Sequence, residues 1–178
     1  EMARARTRRR GAFGPEGTPG MKNFERLLAA WTAEDPFYDQ LFGELKGLNR
    51  RAILRAREEG CLAGTPFAEK AAEALGVEAE WKKRSGEPVA AGEEIARFRG
   101  SPQAIVRLEN LVIGLLGKPS GIASAARKAR EIARGRVHLV SGGWKKHPFL
   151  IAPNIREAVA AGGLDTRLID PPFLYLDK

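Results

Sequence analysis

Cysteine and histidine are scarce in this chain. Among 178 residues there is one cysteine, Cys61, and two histidines, His138 and His147. A single cysteine excludes an internal disulfide framework and fits a reducing compartment, so the cytoplasm is the expected location. Two histidines are too few for a histidine-based metal centre. No apolar run approaches the ~20 residues that a membrane-spanning helix needs, and the first residues lack the apolar core of a secretory signal. Also missing are a P-loop, a dinucleotide-binding glycine fingerprint, a nucleophile elbow and paired Cys/His zinc spacing. Nothing here points to a membrane partner, a zinc finger or a nucleotide-hydrolysing engine.

What is abundant is positive charge: 30 Lys and Arg against 22 Asp and Glu, a net +8. Its distribution decides what it means. Residues 1–20 hold five arginines and two glutamates, and the rest is spread among acidic residues along the chain. That pattern favours a solvated basic surface or a small anionic ligand over a dedicated nucleic-acid face. The Arg-, Gly- and Pro-rich residues 1–20 have almost nothing to bury and are expected to be a disordered leader. Met21, where the amphipathic pattern begins, reads as the natural start. An anion- or nucleic-acid-binding arm is the alternative for the leader.

From Met21 to Gly100 the pattern reads as an α+β sandwich. Phe24, Leu27, Leu28 and Trp31 share one face of a helix over 23–32, and a second short helix is expected from Pro36 to Leu45. Glu34, Asp35 and Asp39 are read as caps and dipole partners, with a metal site as the weaker alternative. RAILRAREEG, starting at Arg51, is strand-like, and CLAGT supplies a turn. Proline at one end and glycine at the other mark Pro66 to Gly76 as a helix. Val77, Ala79 and Trp81 alternate as in an amphipathic strand. Val89 and the run from Ile95 to Gly100 complete the strands, and Ile95 and Phe98 cannot share a face unless a bulge intervenes. A domain boundary is expected at Gly100-Ser101.

Beyond it, Ser101-Pro102 is a helix-start signal, followed by an apolar face of Ile105, Leu108, Leu111, Val112, Leu115 and Leu116. Gly117-Lys118-Pro119 is expected to stop that helix. Ser120 then caps a second helix to Arg134, and Gly135 sits at its C-cap. Arg136 to Gly143 reads as a buried strand ending in two glycines, with His138 inside it as a structural residue. FLIAP reads as another strand or strand–turn. Asn154 and Glu157 resemble a capping box that opens a helix closed by Gly162-Gly163. TRLID and FLYLDK read as strands. The strongly apolar last one, with no closing element after it, suggests the front part of a longer protein.

Helix, strand and Gly-rich loop are the grammar of an α/β protein, whose ligands gather at the carboxyl ends of the strands. On that reasoning Lys145, Lys146 and His147 are candidate donors to phosphates or a dicarboxylate, an ordinary basic loop being the competing reading. Arg167 follows another Gly-Gly pair and can return to the same mouth. Asp177 and Lys178 end the final apolar run, where barrel enzymes keep working residues.

Three segments, RAREEGCLAG, SGEPVAAGEEIARFRGSPQAIVRLEN and KPSGIASAARKARE, resemble the quinolinate phosphoribosyltransferase (nicotinate-nucleotide pyrophosphorylase, carboxylating) family. The family helix reading "ER-x-x-LN-x-x-x-x-LSGIAT" aligns without gaps to Glu109 through Ser124, and Ser120-Gly121-Ile122-Ala123 is identical. The likeness runs from about Met21 to the last residue. It implies an α+β sandwich (21–100) followed by the beginning of an open α/β barrel (101–178). It also implies transfer of phosphoribose from phosphoribosyl pyrophosphate to quinolinate with decarboxylation, in NAD biosynthesis, with Mg2+ as cofactor. A homodimer is implied too, in which one subunit's sandwich helps to cover its partner's barrel mouth.

The sequence departs from the family pattern at several positions. Asn110 stands where the family has an arginine that reaches the substrate carboxylate. SGGWKKHPF stands for "DTRKT-x-PG", so Lys145 or Lys146 takes the lysine's place and Trp144 lies near the arginine's. GGLDTR keeps Arg167 but has Thr166 in place of histidine. In LYLDK the order of Asp177 and Lys178 is exchanged, and the later strands with the family's acidic, magnesium-associated residues do not follow. With fewer cationic clamps than two carboxylates want, a divergent relative acting on nicotinate or another small aromatic acid is expected rather than an orthodox quinolinate enzyme. The expected substrate-binding residues are Lys145, Lys146, His147, Arg167, Asn110 and Lys178. The fragment is expected to be inactive alone, and a non-catalytic binding or interaction module is the alternative.

Overall fold

The computed structural model describes residues 20–32, 36–45, 47–167 and 174. The leader over 1–19, Glu34, Asp35, the strands expected from TRLID and FLYLDK, Asp177 and Lys178 lie wholly or mostly outside the described residues.

The first half is the α+β sandwich that the sequence predicts. Helix α1 (Met21–Thr32) and the short α2 (Pro36–Phe42), which ends in a 3-10 turn, precede strand β1 (Arg50–Arg55). Then come β2 (Gly60–Cys61), helix α3 (Thr65–Ala74), β3 (Glu78–Trp81), β4 (Pro88–Val89) and β5 (Glu94–Gly100). The strands form an antiparallel sheet in the order β1-β5-β3, with β2 paired to β4 beside it. The next helix, α4 (Pro102–Ala133), packs on this unit. One sheet face and α1, α3 and α4 enclose a core of Phe24, Leu28, Phe67, Val77, Ile95, Phe98, Leu108 and Val112. Phe24 and Phe67 meet edge to face at 5.0 Å, and so do Trp81 and Phe98 at 5.8 Å. Trp31 is a correction: it is 44% exposed, whereas Met21, Phe24 and Leu28 carry the buried face of α1.

The bulge expected at Ile95 is present. Leu54 faces Ala96 but Arg55 faces Glu94, so β5 holds one extra residue, Ile95, whose carbonyl accepts from both Lys82 N and Lys83 N. This slip lets Ile95 and Phe98 enter the same core despite their odd spacing.

The largest correction concerns Pro119. The structure has no break there: α4 runs unbroken for 32 residues, with Ser101 as its cap. A proline inside a helix removes one N–H and orphans the carbonyl four residues earlier, at a cost of ~3 kcal/mol. Here that carbonyl, on Leu115, accepts from Asn154 Nδ2 at 3.2 Å, and the Pro119 ring is buried. The helix therefore continues, because tertiary contacts satisfy what the proline left open. The helix ends one residue early: Arg134 is its cap at φ 49°, and Gly135 is left-handed as expected, at φ 72°.

The same region of α4 grips the loop after β2. Ser120 Oγ accepts from Ala63 N at 3.0 Å, and Ser124 Oγ accepts from Cys61 N at 2.9 Å. Gly64 has φ 88°, and a Cβ there would lie 1.9 Å from Leu115 O. Its N–H donates to Glu157 Oε2 at 2.8 Å.

Past α4 the expected strands are not formed. Arg136 to Gly143 is reduced to one parallel bridge, Val140 with Asp165, and Val137 is 60% exposed. His138 is likewise exposed rather than inside a strand, and its Nε2 meets Asp165 Oδ2 at 2.8 Å. FLIAP is a turn closed by Ile151 N and Ala152 N on Pro148 O, and it leads into helix α5 (Ala152–Ala161). Proline in the first turn starts α5 before Asn154, so Asn154 and Glu157 do not form a capping box. Both are buried and face α4 and Gly64. Gly162 closes α5 against α4; a Cβ on it would lie 2.3 Å from Ala123 O.

Three measurements test these contacts. Gly64→Ala adds left-handed strain of ~1–2 kcal/mol and overpacking of ~1–3 kcal/mol, so urea denaturation should show a loss of about 2–5 kcal/mol. Asn154→Ala leaves Leu115 O unpaired and should cost ~1–3 kcal/mol. Burial pushes the Glu157 carboxyl above its usual range, against the bonds from Ser85 and Gly64. The folded chain thus holds that proton more tightly than the unfolded one. The penalty is absent below the unfolded pKa and grows as pH rises through the folded value. Relative to Glu157→Gln, the natural protein should lose stability as pH is raised from about 4, in urea titrations at matched salt.

Candidate anion-binding site

Val140 and Asp165 pair in parallel with α5 crossing between them, held by Ser141 N on Asp165 O (2.8 Å) and Asp165 N on Leu139 O (3.2 Å). This is a minimal βαβ unit, and its carboxyl ends, Ser141 onward and Thr166-Arg167, emerge on the same side. Ser141 and Gly142 lead into a 3-10 turn over Gly143–Lys146, where Lys145 N donates to Gly142 O at 3.0 Å. His147 N donates to Trp144 O at 3.3 Å and closes the turn.

Trp144 is the centre of a cation cluster. Arg156 Cζ lies 5.1 Å and Lys145 Nζ 5.8 Å from its ring centre, both within cation–π range. Thr166 fixes the pair: its carbonyl accepts from Trp144 Nε1 at 3.4 Å, and its hydroxyl accepts from Arg156 Nε at 3.1 Å. The Arg156 pKa is lowered, first by burial and then by the nearby charge of Arg167. An incoming anion would relieve both costs. Among the described residues, Lys145, Arg156 and Arg167 make no ion pair with a carboxylate, and Asp165 is engaged by His138. A partly dehydrated cluster of cations of this kind is suited to charge-assisted binding of phosphate or carboxylate oxygens.

Of the residues expected from sequence, Lys145 lies in this cluster, the charge of Arg167 reaches Arg156, and Lys146 and His147 belong to or directly follow the same turn. Asn110 is held elsewhere, on α4, where its Nδ2 donates to Tyr38 Oη at 2.6 Å. Lys178 lies outside the described residues. Sequence reasoning misses Arg156. It sits within α5, and only the packing of that helix on the 3-10 turn exposes its role. Trp144 and Thr166 are visible in the sequence only as departures from a family pattern.

Among the described residues no group of three or more His, Cys, Asp or Glu converges. The side chains around Trp144 are cationic. No helix among the described residues is long and apolar enough to cross a membrane.

Residues 37–120 match the family model described as quinolinate phosphoribosyl transferase, N-terminal domain. A probable nicotinate-nucleotide pyrophosphorylase (carboxylating) of Archaeoglobus fulgidus is 34% identical over 83 residues, 47% of this chain and 32% of that protein. The human nicotinate-nucleotide pyrophosphorylase (carboxylating) is 33% identical over 97 residues, 54% of this chain and 31% of its own length. In fold, the chain is similar to the nicotinate-nucleotide pyrophosphorylase of Francisella tularensis, with a TM-score of 0.70 and 21% identity over 84% of this chain and 54% of that one. The enzyme of Ehrlichia chaffeensis gives 0.66, at 18% identity. The chain spans about a third of the length of the curated relatives it matches and about half that of these solved structures. Over residues 37–120 the chain is similar to the N-terminal domain of the quinolinate phosphoribosyltransferase family.

Lys145→Ala and Arg156→Ala should each weaken binding of inorganic pyrophosphate by ~1–3 kcal/mol, roughly fivefold to a hundredfold. Titration followed by tryptophan fluorescence reads this, since Lys145 Nζ and Arg156 Cζ lie 5.8 and 5.1 Å from the Trp144 ring centre. Affinity unchanged in both variants would place the anion elsewhere.

Proposed function

We propose that this protein is a phosphoribosyltransferase of the quinolinate/nicotinate group. It would transfer phosphoribose from phosphoribosyl pyrophosphate to a pyridine carboxylate in NAD biosynthesis. The observation that carries this reading is the cation cluster around Trp144 at the carboxyl ends of the parallel pair, in a chain whose residues 37–120 match this family's N-terminal domain. Both substrates are anions, and guanidinium and ammonium groups held in place before binding lower the cost of orienting them. In this reading Lys145, Lys146, His147, Arg156 and Arg167 take the phosphates and the acceptor's carboxylate. Thr166 keeps Arg156 and Trp144 in register. Asn110 and Lys178 belong to the proposal through the family resemblance alone, as does Mg2+.

The division into a sandwich over 21–100 and a barrel portion over 101–178 belongs to the same proposal. So do a homodimer and a cytoplasmic location. Support for the division is the start of α4 at Ser101-Pro102 and the parallel pairing that appears only after it.

The experiment is to mix the protein with phosphoribosyl pyrophosphate and, in separate arms, quinolinate and nicotinate, and to measure pyrophosphate release and heat of binding. Saturable binding of the sugar diphosphate, with release in one arm, is the expected result. If neither arm releases pyrophosphate and the sugar diphosphate fails to bind, the enzyme reading is wrong.

A further inference from the structure

The opposite end of the same βαβ unit holds a second cationic site. Where Val140 and Asp165 carry the chain toward Trp144 at their carboxyl ends, their amino ends open into a cavity of about 680 Å³. Arg127, Arg130 and Arg134 line it from α4, His138 and Leu139 from one segment, and Leu164 from the other. The volume suits a small-molecule ligand.

We propose that this cavity binds a small polyanion, a phosphate ester or a polycarboxylate, through Arg130 and Arg134, while Arg127 on the same helix face donates to the Gly86 carbonyl. The three arginines recur at spacings of three and four, so they share one face of the last turns of α4. Carboxylates are at hand, since Glu131 and Asp165 also line the cavity. Yet among the described residues Arg130 and Arg134 make no ion pair, and Asp165 is held by His138. Val137, Leu139 and Leu164 supply an apolar wall of the kind that orients a carbon skeleton.

The backbone carries a second, independent sign. Arg134 is the only described non-glycine residue with positive φ, at 49°. Gly135 follows directly and is itself left-handed at φ 72°, so two successive residues leave the helix in that conformation. A strained backbone persists where the surroundings or the function demand that side chain in that place. The competing explanation is that cations near a helix C-terminus merely offset its dipole. That accounts for basic residues in the last turn. It does not account for the left-handed Arg134 or for a cavity lined jointly by the two strand segments.

The test uses the full chain and two probes, inorganic pyrophosphate and citrate, which separate the phosphate source from the carboxylate source. Expected in at least one arm are shifts of the Gly135, Val137, Gly163 and Leu164 amide resonances, saturating with added anion. Arg130→Ala/Arg134→Ala should weaken that event at least tenfold, whereas Lys145→Ala/Arg167→Ala should leave it intact. Arg134→Gly separates the explanations: the proposal requires a raised melting temperature together with weakened anion binding. The proposal is overturned if neither probe moves these resonances, or if Arg134→Gly binds as tightly as the natural protein. Because the readout follows Gly135 and Val137 rather than Trp144, its failure is distinct from failure of the transferase reading.

Discussion

The structure hangs on one short stretch of backbone, Cys61 to Gly64, held between two helices. Side chains of α4 receive the amides of Cys61 and Ala63, and Glu157 of α5 receives that of Gly64. The two helices meet over the same spot, where Asn154 takes the Leu115 carbonyl that Pro119 left free. Only a residue without a side chain fits at position 64. The sandwich and the region beyond it are therefore joined through buried polar bonds, which are costly to leave unmade. This also explains the resemblance at the level of atoms. CLAG and PSGIAS, which carry much of the likeness to the family, are the two sides of one contact.

That contact in turn sets where the cations lie. Fixing Asn154 against α4 and Glu157 against Gly64 fixes the rotation of α5, and Arg156, on another face of that helix, is thereby turned toward Trp144 and Thr166. The cluster collects side chains from a 3-10 turn, a helix and the residues after a parallel bridge. These three segments are separated in sequence, and their common position follows from the βαβ crossover.

The sandwich is legible from sequence because its signals are local. Alternation at Val77, Ala79 and Trp81, proline and glycine at the ends of α3, and the impossible pairing of Ile95 with Phe98 each report on neighbouring residues. From Pro119 onward the sequence misleads for the opposite reason. Pro119 carries a strong local break signal, and its cost is met by a residue 35 positions away. Asn154 and Glu157 have the spacing of a capping box, but their partners are on other elements. The apolar run over 136–143 resembles a buried strand, while its only described pairing is with Asp165. Lys145 and Arg167 can be foreseen because Gly-Gly pairs mark strand ends. Arg156 cannot, since nothing in its neighbours distinguishes it from a solvated helix arginine.

The unbroken α4 has a mechanical consequence. At 1.5 Å per residue, its 32 residues form a rod of ~48 Å that enters the sandwich core at Leu108 and ends at the cavity by Arg134. A loop at Gly117-Pro119 would have been a joint about which the two halves of the molecule could swing. With a rod in its place and α5 bolted across it, relative movement of the two ends is confined to twisting or bending a helix.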